Sequence, residues 1–184
     1  MVKINTYPKI NTIFKRDERN RFNIIEGDYS CPEFEAIKKW QISEKVDGTN
    51  IRILYNGSEP IFGGRTDDAQ IPVFLLEYLQ RTFTEDKLAS LFPEAKNGIM
   101  LFGEGFGNKI QSAGKRYRKE NCSFILFDAL IDGWWLERDN VKDIAEKLGI
   151  DVVPSLGIMT PQEAIGFVKA MNNKSRISED APIN

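Results

Sequence analysis

Short apolar runs cut by Asp-Gly and Asn-Gly pairs constrain this chain more than any other feature. Residues 41–46 and 50–55 read as strands separated by Asp47-Gly48. Asn56-Gly57 makes the next turn, with a further strand over 60–65. The run 98–104 is apolar enough for a buried strand, and 123–130 with 134–137 reads as a hairpin around Asp132-Gly133. Shorter strands are expected at 23–26 and 152–153. Helical segments lie between them at 32–39, 72–83, 85–92, 139–148 and 161–171. In 72–83 the apolar positions Val73, Leu76, Leu79 and Phe83 set the buried face, and one of Trp134 and Trp135 is expected to be buried. Residues 108–121 are polar and basic, hence a loop, and 172–184 read as an extended tail. Together these give an α+β domain on an antiparallel sheet, a size that 184 residues can fill as one unit.

Composition then removes whole classes of chemistry. There is no histidine, which excludes Ser-His-Asp and Cys-His catalysis, imidazole acid–base work and histidine-ligated metals. Cys31 and Cys122 are the only cysteines; they suggest neither a disulfide framework nor a zinc site and fit a reducing compartment. No apolar run reaches the roughly 20 residues of a bilayer span and no signal peptide is visible, so a cytoplasmic location is expected. The net charge of -2 does not mark a nucleic-acid binder, although local clustering of charge matters more than the sum. What remains is chemistry by lysine, carboxylates, hydroxyls or a metal held by oxygen.

Lys45 is the lysine that stands out. It sits in Glu44-Lys45-Val46-Asp47-Gly48-Thr49-Asn50, at the end of an apolar strand and beside a glycine turn. A solvated surface lysine is the commonplace reading. Ile42, Val46 and Ile51 instead imply a semi-buried setting, where desolvation lowers a lysine's pKa and frees its lone pair for attack. Asp47 is placed to orient the site or help hold a metal, and Gly48 to let the backbone approach a ligand. So short a string recurs by chance, and it gains weight only from matching segments downstream. Gly63-Gly64-Arg65-Thr66, Leu101-Phe102-Gly103-Glu104 and Phe124-Ile125-Leu126-Phe127-Asp128 come after it in that order.

In that order the four segments resemble motifs I, Ia, III and IIIa of the covalent nucleotidyltransferases, which include DNA ligases, RNA ligases and capping enzymes. The first is closest to the phage RNA ligase 2 family, because DNA ligases usually carry arginine where this chain has Asn50. The resemblance implies an antiparallel-sheet nucleotidyltransferase domain (ATP-grasp-like ligase) and an ATP-dependent enzyme that joins 5′-phosphate and 3′-hydroxyl RNA ends. It implies that Lys45 attacks the α-phosphate of ATP, leaving a lysine–AMP phosphoramidate. Arg65 would bind phosphate or ribose, and Glu104 would accept from a ribose hydroxyl. Phe127, with Phe124 the alternative, would stack on adenine; Asp128 would support the site and Glu44 would lie near the adenine amino group. Mg2+ would neutralise the triphosphate. Each has its plain alternative: an ion pair for Arg65, a solvated carboxylate for Glu104, core packing for either phenylalanine.

The resemblance stops after Asp128. No Glu-Gly of motif IV and no lysine pair of motif V is found beyond it, Lys174-Ser175-Arg176 being a poor substitute. The expectation is therefore a nucleotidyltransferase domain over 1–184, cut before motif IV and incomplete at its C-terminus. The basic run Lys109, Lys115, Arg116, Arg118 and Lys119 could grip an RNA backbone, with Tyr117 stacking on a base, or be a solvated loop. Lys15, Arg16, Arg19 and Arg21 are diluted by Asp17 and Glu18. Two competing functions stay open: a DNA ligase or capping enzyme, and a non-catalytic nucleotide- or RNA-binding fragment.

Overall fold

A computed structural model of the chain describes residues 5–20, 23–95, 98–170 and 175–178. In chain order these form β1 (Phe14–Arg16), β2 (Ile24–Tyr29), α1 (Pro32–Ala36), β3 (Trp40–Ser43), β4 (Thr49–Tyr55) and β5 (Ile61–Gly63). Then come α2 (Val73–Thr82), α3 (Glu85–Leu91), β6 (Ile99–Gly107), α4 (Gly114–Tyr117), β7 (Cys122–Ile131) and β8 (Trp134–Trp135). α5 (Arg138–Leu148), β9 (Asp151–Val152), β10 (Ser155–Met159) and α6 (Pro161–Ala170) complete the described elements. The expected α+β, antiparallel architecture is what the chain adopts.

The main sheet runs β5-β4-β6-β7-β8, with β9 joining β7 as the one parallel neighbour. β6 takes the centre because its run is apolar apart from Glu104, and every residue of it but Glu104 is buried. The Asn-Gly turn joins β4 to β5, and Asp132 (φ 50°) with Gly133 (φ 85°) closes the β7–β8 hairpin in the left-handed region such tight turns require. One face of the sheet is covered by helices. Ile51 and Ile53 of β4, Leu101 of β6 and Phe124 and Leu126 of β7 meet Leu75, Leu79 and Phe83 from α2 and its C-cap, Leu88 of α3, and Val141, Ile144 and Leu148 of α5. The opposite face carries Leu54, Met100 and Phe102 and is left open enough to form a cleft.

Several expectations are corrected. The strand read over 41–46 ends at Ser43, and it pairs not with β4 but with β10, in a separate two-stranded sheet; β10 has no clear sequence signal. The chain therefore crosses from the small sheet to the large one at residues 44–48. Helix 32–39 ends at Ala36, since five residues with none buried have little tertiary packing to extend them. In α2 the buried positions are Leu75 and Leu79, not Val73, which is 70% exposed. Both Trp134 and Trp135 are exposed, because they lie on an edge strand at the hairpin tip. The loop 108–121 contains the helical turn α4. Arg21, Lys174 and most of the expected tail lie outside the described residues. Among the described residues no helix is long and apolar enough to cross a membrane.

Candidate active site

Strand alternation explains how residues far apart in sequence reach one cleft. Asn50 of β4 and Glu104 of β6 are direct register partners, so they share a face. On β7 strict alternation fails. Phe102 pairs with Asp128 and Gly103 with Leu126, leaving Phe127 as the extra residue of a β-bulge. The bulge sends two consecutive side chains, Phe127 and Asp128, to the same side. Lys45, Asn50, Glu104, Phe127 and Asp128 accordingly line one cleft of about 750 Å³.

Phe124 and Phe127 separate cleanly. Phe124 is fully buried in the core, edge-on to Phe83 at 5.3 Å, whereas Phe127 is half-buried and lines the cleft. Lys45 is exposed, which corrects the semi-buried setting expected for it. Glu44 and Val46 on either side are 2% and 3% exposed, and all three residues line the cleft, where Lys45 is the exposed one. Gly48 packs closely against the neighbouring strand: a Cβ there would meet the carbonyl oxygen of Gly105 at 2.3 Å.

Glu104 is the electrostatic centre of the cleft. Burial drives its carboxyl up from the ordinary 4.5 to about 7, and the charge of Asp47 adds to the rise. Lys45, the backbone N–H of Gly48 and Arg65 work in the opposite direction. The folded chain therefore binds more protons than the unfolded one between pH 4.5 and about 7. Stability falls as pH rises through that window and levels off above it. Urea unfolding at pH 4.5 and pH 7.5 is expected to show a loss on the order of 2 kcal/mol that Glu104→Gln removes. Equal pH dependence in both proteins would contradict the desolvation of this carboxylate.

Arg65 is exposed on the loop after β5, within electrostatic reach of Glu104 but outside the cleft lining. Sequence reasoning passed over the residue that holds this loop. Arg52 is fully buried; its Nε donates to the Gly64 carbonyl at 2.5 Å and its guanidinium pairs with Asp67 at 3.0 Å. Tyr7 and Arg138 were also missed. The Tyr7 phenol donates to Asp128 Oδ2 at 2.9 Å, and its ring lies 5.0 Å from Phe127 and 5.6 Å from Trp135. Burial pushes the Asp128 carboxyl up, while the Tyr7 hydrogen bond holds it back. Arg138 donates to the carbonyl oxygens of Phe127 and Val153 and so braces the bulge. Glu44 does not present a free carboxylate: its oxygens accept from the Ser175 hydroxyl and from Arg176 N–H at 2.9 Å.

The basic stretch is not gathered at the cleft. Lys115 and Arg116 are exposed on α4, Lys119 is exposed just beyond it, and Arg118 pairs with Asp151 at 2.9 Å. Tyr117 is not available for stacking on a base. It is buried against Phe106, and its hydroxyl lies 3.4 Å from Asp47 N–H, tying α4 to the turn that comes after Lys45.

A family model described as RNA ligase matches residues 38–179, the span that contains all four motifs. The chain belongs to the RNA ligase family. Among solved structures it is similar to a mutant of Naegleria gruberi RNA ligase with ATP and manganese, at TM-score 0.64 and 18% identity over 83% of this chain and 47% of that one. Naegleria gruberi RNA ligase with pyrophosphate gives TM-score 0.63 and 18% identity over 96% of this chain and 56% of that one. At this identity the likeness is one of fold, and the chain spans about half the length of the ligase chains it matches. No curated protein is matched by the sequence. Within the RNA ligase fold, the crossing between sheets is what brings Lys45 opposite Glu104.

Proposed function

We propose that the chain is the nucleotidyltransferase part of an ATP-dependent RNA ligase, with Lys45 as its nucleophile. The observation that carries this reading is the convergence of Lys45, Glu104 and Phe127 on one cleft in a member of the RNA ligase family. Adenine stacks on Phe127, and a ribose hydroxyl donates to Glu104. The α-phosphate then lies at Lys45, whose amine forms the N–P bond as the P–O bond to pyrophosphate breaks and the ammonium proton passes to solvent. Arg65 holds phosphate oxygens, Asn50 hydrogen-bonds the bound nucleotide, and Asp128, kept in place by Tyr7, supports the wall behind the adenine. AMP is handed next to a 5′-phosphate RNA end, and attack by a 3′-hydroxyl seals the strand and releases AMP. Lys115, Arg116 and Lys119 meet the RNA backbone, while Arg118 serves to brace the loop.

Magnesium fits the donors present. Among the described residues no cluster of three or more acidic or cysteine ligands exists. Mg2+ needs no such cage, since one or two carboxylates and substrate phosphates suffice. Asp47 would hold it with the triphosphate, and the ion would neutralise the departing pyrophosphate.

Incubation with ATP and Mg2+ followed by intact mass and peptide mapping tests the reading. One AMP per chain, on the peptide containing Lys45, is expected. An unmodified chain, or AMP on another lysine, overturns it; transfer from GTP in preference to ATP would indicate a capping-type enzyme instead.

A further inference from the structure

Residues 175–178 belong to no helix or strand, yet they close on both flanks of Lys45. Ser175 stands 131 residues from Glu44 in sequence, and its hydroxyl donates to Glu44 Oε1. The backbone N–H of Arg176 donates to Glu44 Oε2 at 2.9 Å. Ser175 Oγ accepts in turn from Ile177 N–H at 3.0 Å, which leaves its own proton for the carboxylate. Ile177 packs on the cluster that holds Val46, Phe106, Tyr117 and Ile125, and Ser178 Oγ donates to the Arg116 carbonyl at 2.6 Å.

These contacts bear on the nucleophile through Glu44. Its side chain is buried and forms no ion pair among the described residues, so hydrogen-bond donors meet its charge. Bonds from O–H and N–H to a carboxylate are charge-assisted, and a buried carboxylate that loses one is costly to keep in place. Ser175 and Arg176 therefore help fix where Glu44 sits. Lys45 comes next in the chain, in the crossing between β3 and β4, where no sheet ladder holds it. Its side chain is exposed and forms no ion pair among the described residues. The placement of its amine thus depends on the backbone that Glu44 and Val46 anchor on either side. Two further bonds tie that backbone: Glu44 N–H donates to the Pro154 carbonyl at 3.1 Å, and Asp47 N–H to the Tyr117 hydroxyl at 3.4 Å.

We propose that Ser175 is a positioning residue for Lys45: by holding the Glu44 carboxylate it fixes the crossing from which the amine reaches the α-phosphate. The proposal rests on Lys45 being the nucleophile and adds to its site a residue outside the four motifs. A nucleophile displaced by about 1 Å attacks up to about 10²-fold more slowly. Glu104 and Phe127, which grip the nucleotide, stand on β6 and β7, and no hydrogen bond from Ser175 or Arg176 reaches them. Loosening the clamp therefore slows the step at Lys45 and leaves ATP binding as it was.

Single-turnover AMP incorporation, followed by intact mass over a range of ATP concentrations with Mg2+, tests this on the full chain. Ser175→Ala is expected to lower the rate at saturating ATP about 10-fold without moving the half-saturating concentration. Ser175→Thr, which returns the hydroxyl, regains most of the rate. Urea unfolding shows which variants are folded under assay conditions, so that lost rate is not lost protein. If Ser175→Ala does not fold, Glu44→Gln carries the test. Its amide oxygen still accepts from Arg176 N–H, but the Ser175 hydroxyl has no second acceptor there, and the same split between rate and half-saturation is expected. An unchanged rate in the folded variant overturns the proposal. A raised half-saturating concentration at unchanged maximal rate overturns it too, by placing Ser175 in nucleotide binding. A threonine variant as slow as alanine does the same, by making the role one of packing. Failure of the Lys45 reading shows separately, as an adduct that is missing from wild type or lies on another lysine.

Discussion

Lys45→Arg is expected to abolish AMP incorporation while leaving the fold intact. The substitution keeps the positive charge and nearly the reach of the side chain, so ATP still meets a cation at that wall of the cleft. Guanidinium stays protonated in any protein environment and offers no lone pair for the α-phosphorus. The expected loss is at least about 10³-fold in the rate of adduct formation, read by intact mass at saturating ATP. Because Lys45 is exposed, the unfolding free energy should stay within about 0.5 kcal/mol of wild type. Lys45→Ala should behave alike in chemistry and bind ATP more weakly. An adduct surviving in either variant would place the nucleophile elsewhere.

The parts of this site that were legible in the sequence are the local ones. Lysine, aspartate and glycine within four residues, and later runs in fixed order, named Lys45, Glu104 and Asp128 without any knowledge of pairing. What was illegible depends on contacts between distant segments. β3 meets β10 across more than a hundred residues, and nothing in the composition of 155–159 announces a strand partner. Tyr7 reaches Asp128 across 121 residues from a stretch without periodicity. Alternation puts Phe124 and Phe127 on opposite faces but does not say which face is the cleft, and the bulge that sets Asp128 beside Phe127 shows only in the register with β6. The exposure of Lys45 was illegible for a related reason: it lies in the crossing between β3 and β4, where buried neighbours such as Val46 do not fix the burial of the residue beside them. Arg52 looked like an ordinary strand charge, yet it is buried under the loop that carries Arg65.

Gly103→Ala is expected to destabilise the chain by roughly 3 kcal/mol, the upper end of what overpacking a core costs. A Cβ at 103 would meet Phe124 Cζ at 2.1 Å and the Ile125 carbonyl oxygen at 2.4 Å. Neither neighbour is a flexible side-chain end. The Phe124 ring is wedged against Phe83, and the Ile125 carbonyl belongs to the backbone of the adjacent strand. Phe124→Ala alone should cost about 3–5 kcal/mol through the cavity it leaves. Gly103→Ala with Phe124→Ala should cost less than the two added together, by about 0.5–3 kcal/mol, because the new methyl occupies space the ring has vacated. Denaturant unfolding of the four proteins gives the coupling directly. Strict additivity would mean that ring and methyl never compete, and the glycine would then need another explanation. Sub-additivity would assign Gly103 to packing: it lets Phe124 lie flat under β6, so that the bulge three residues on can turn Phe127 and Asp128 together towards Lys45.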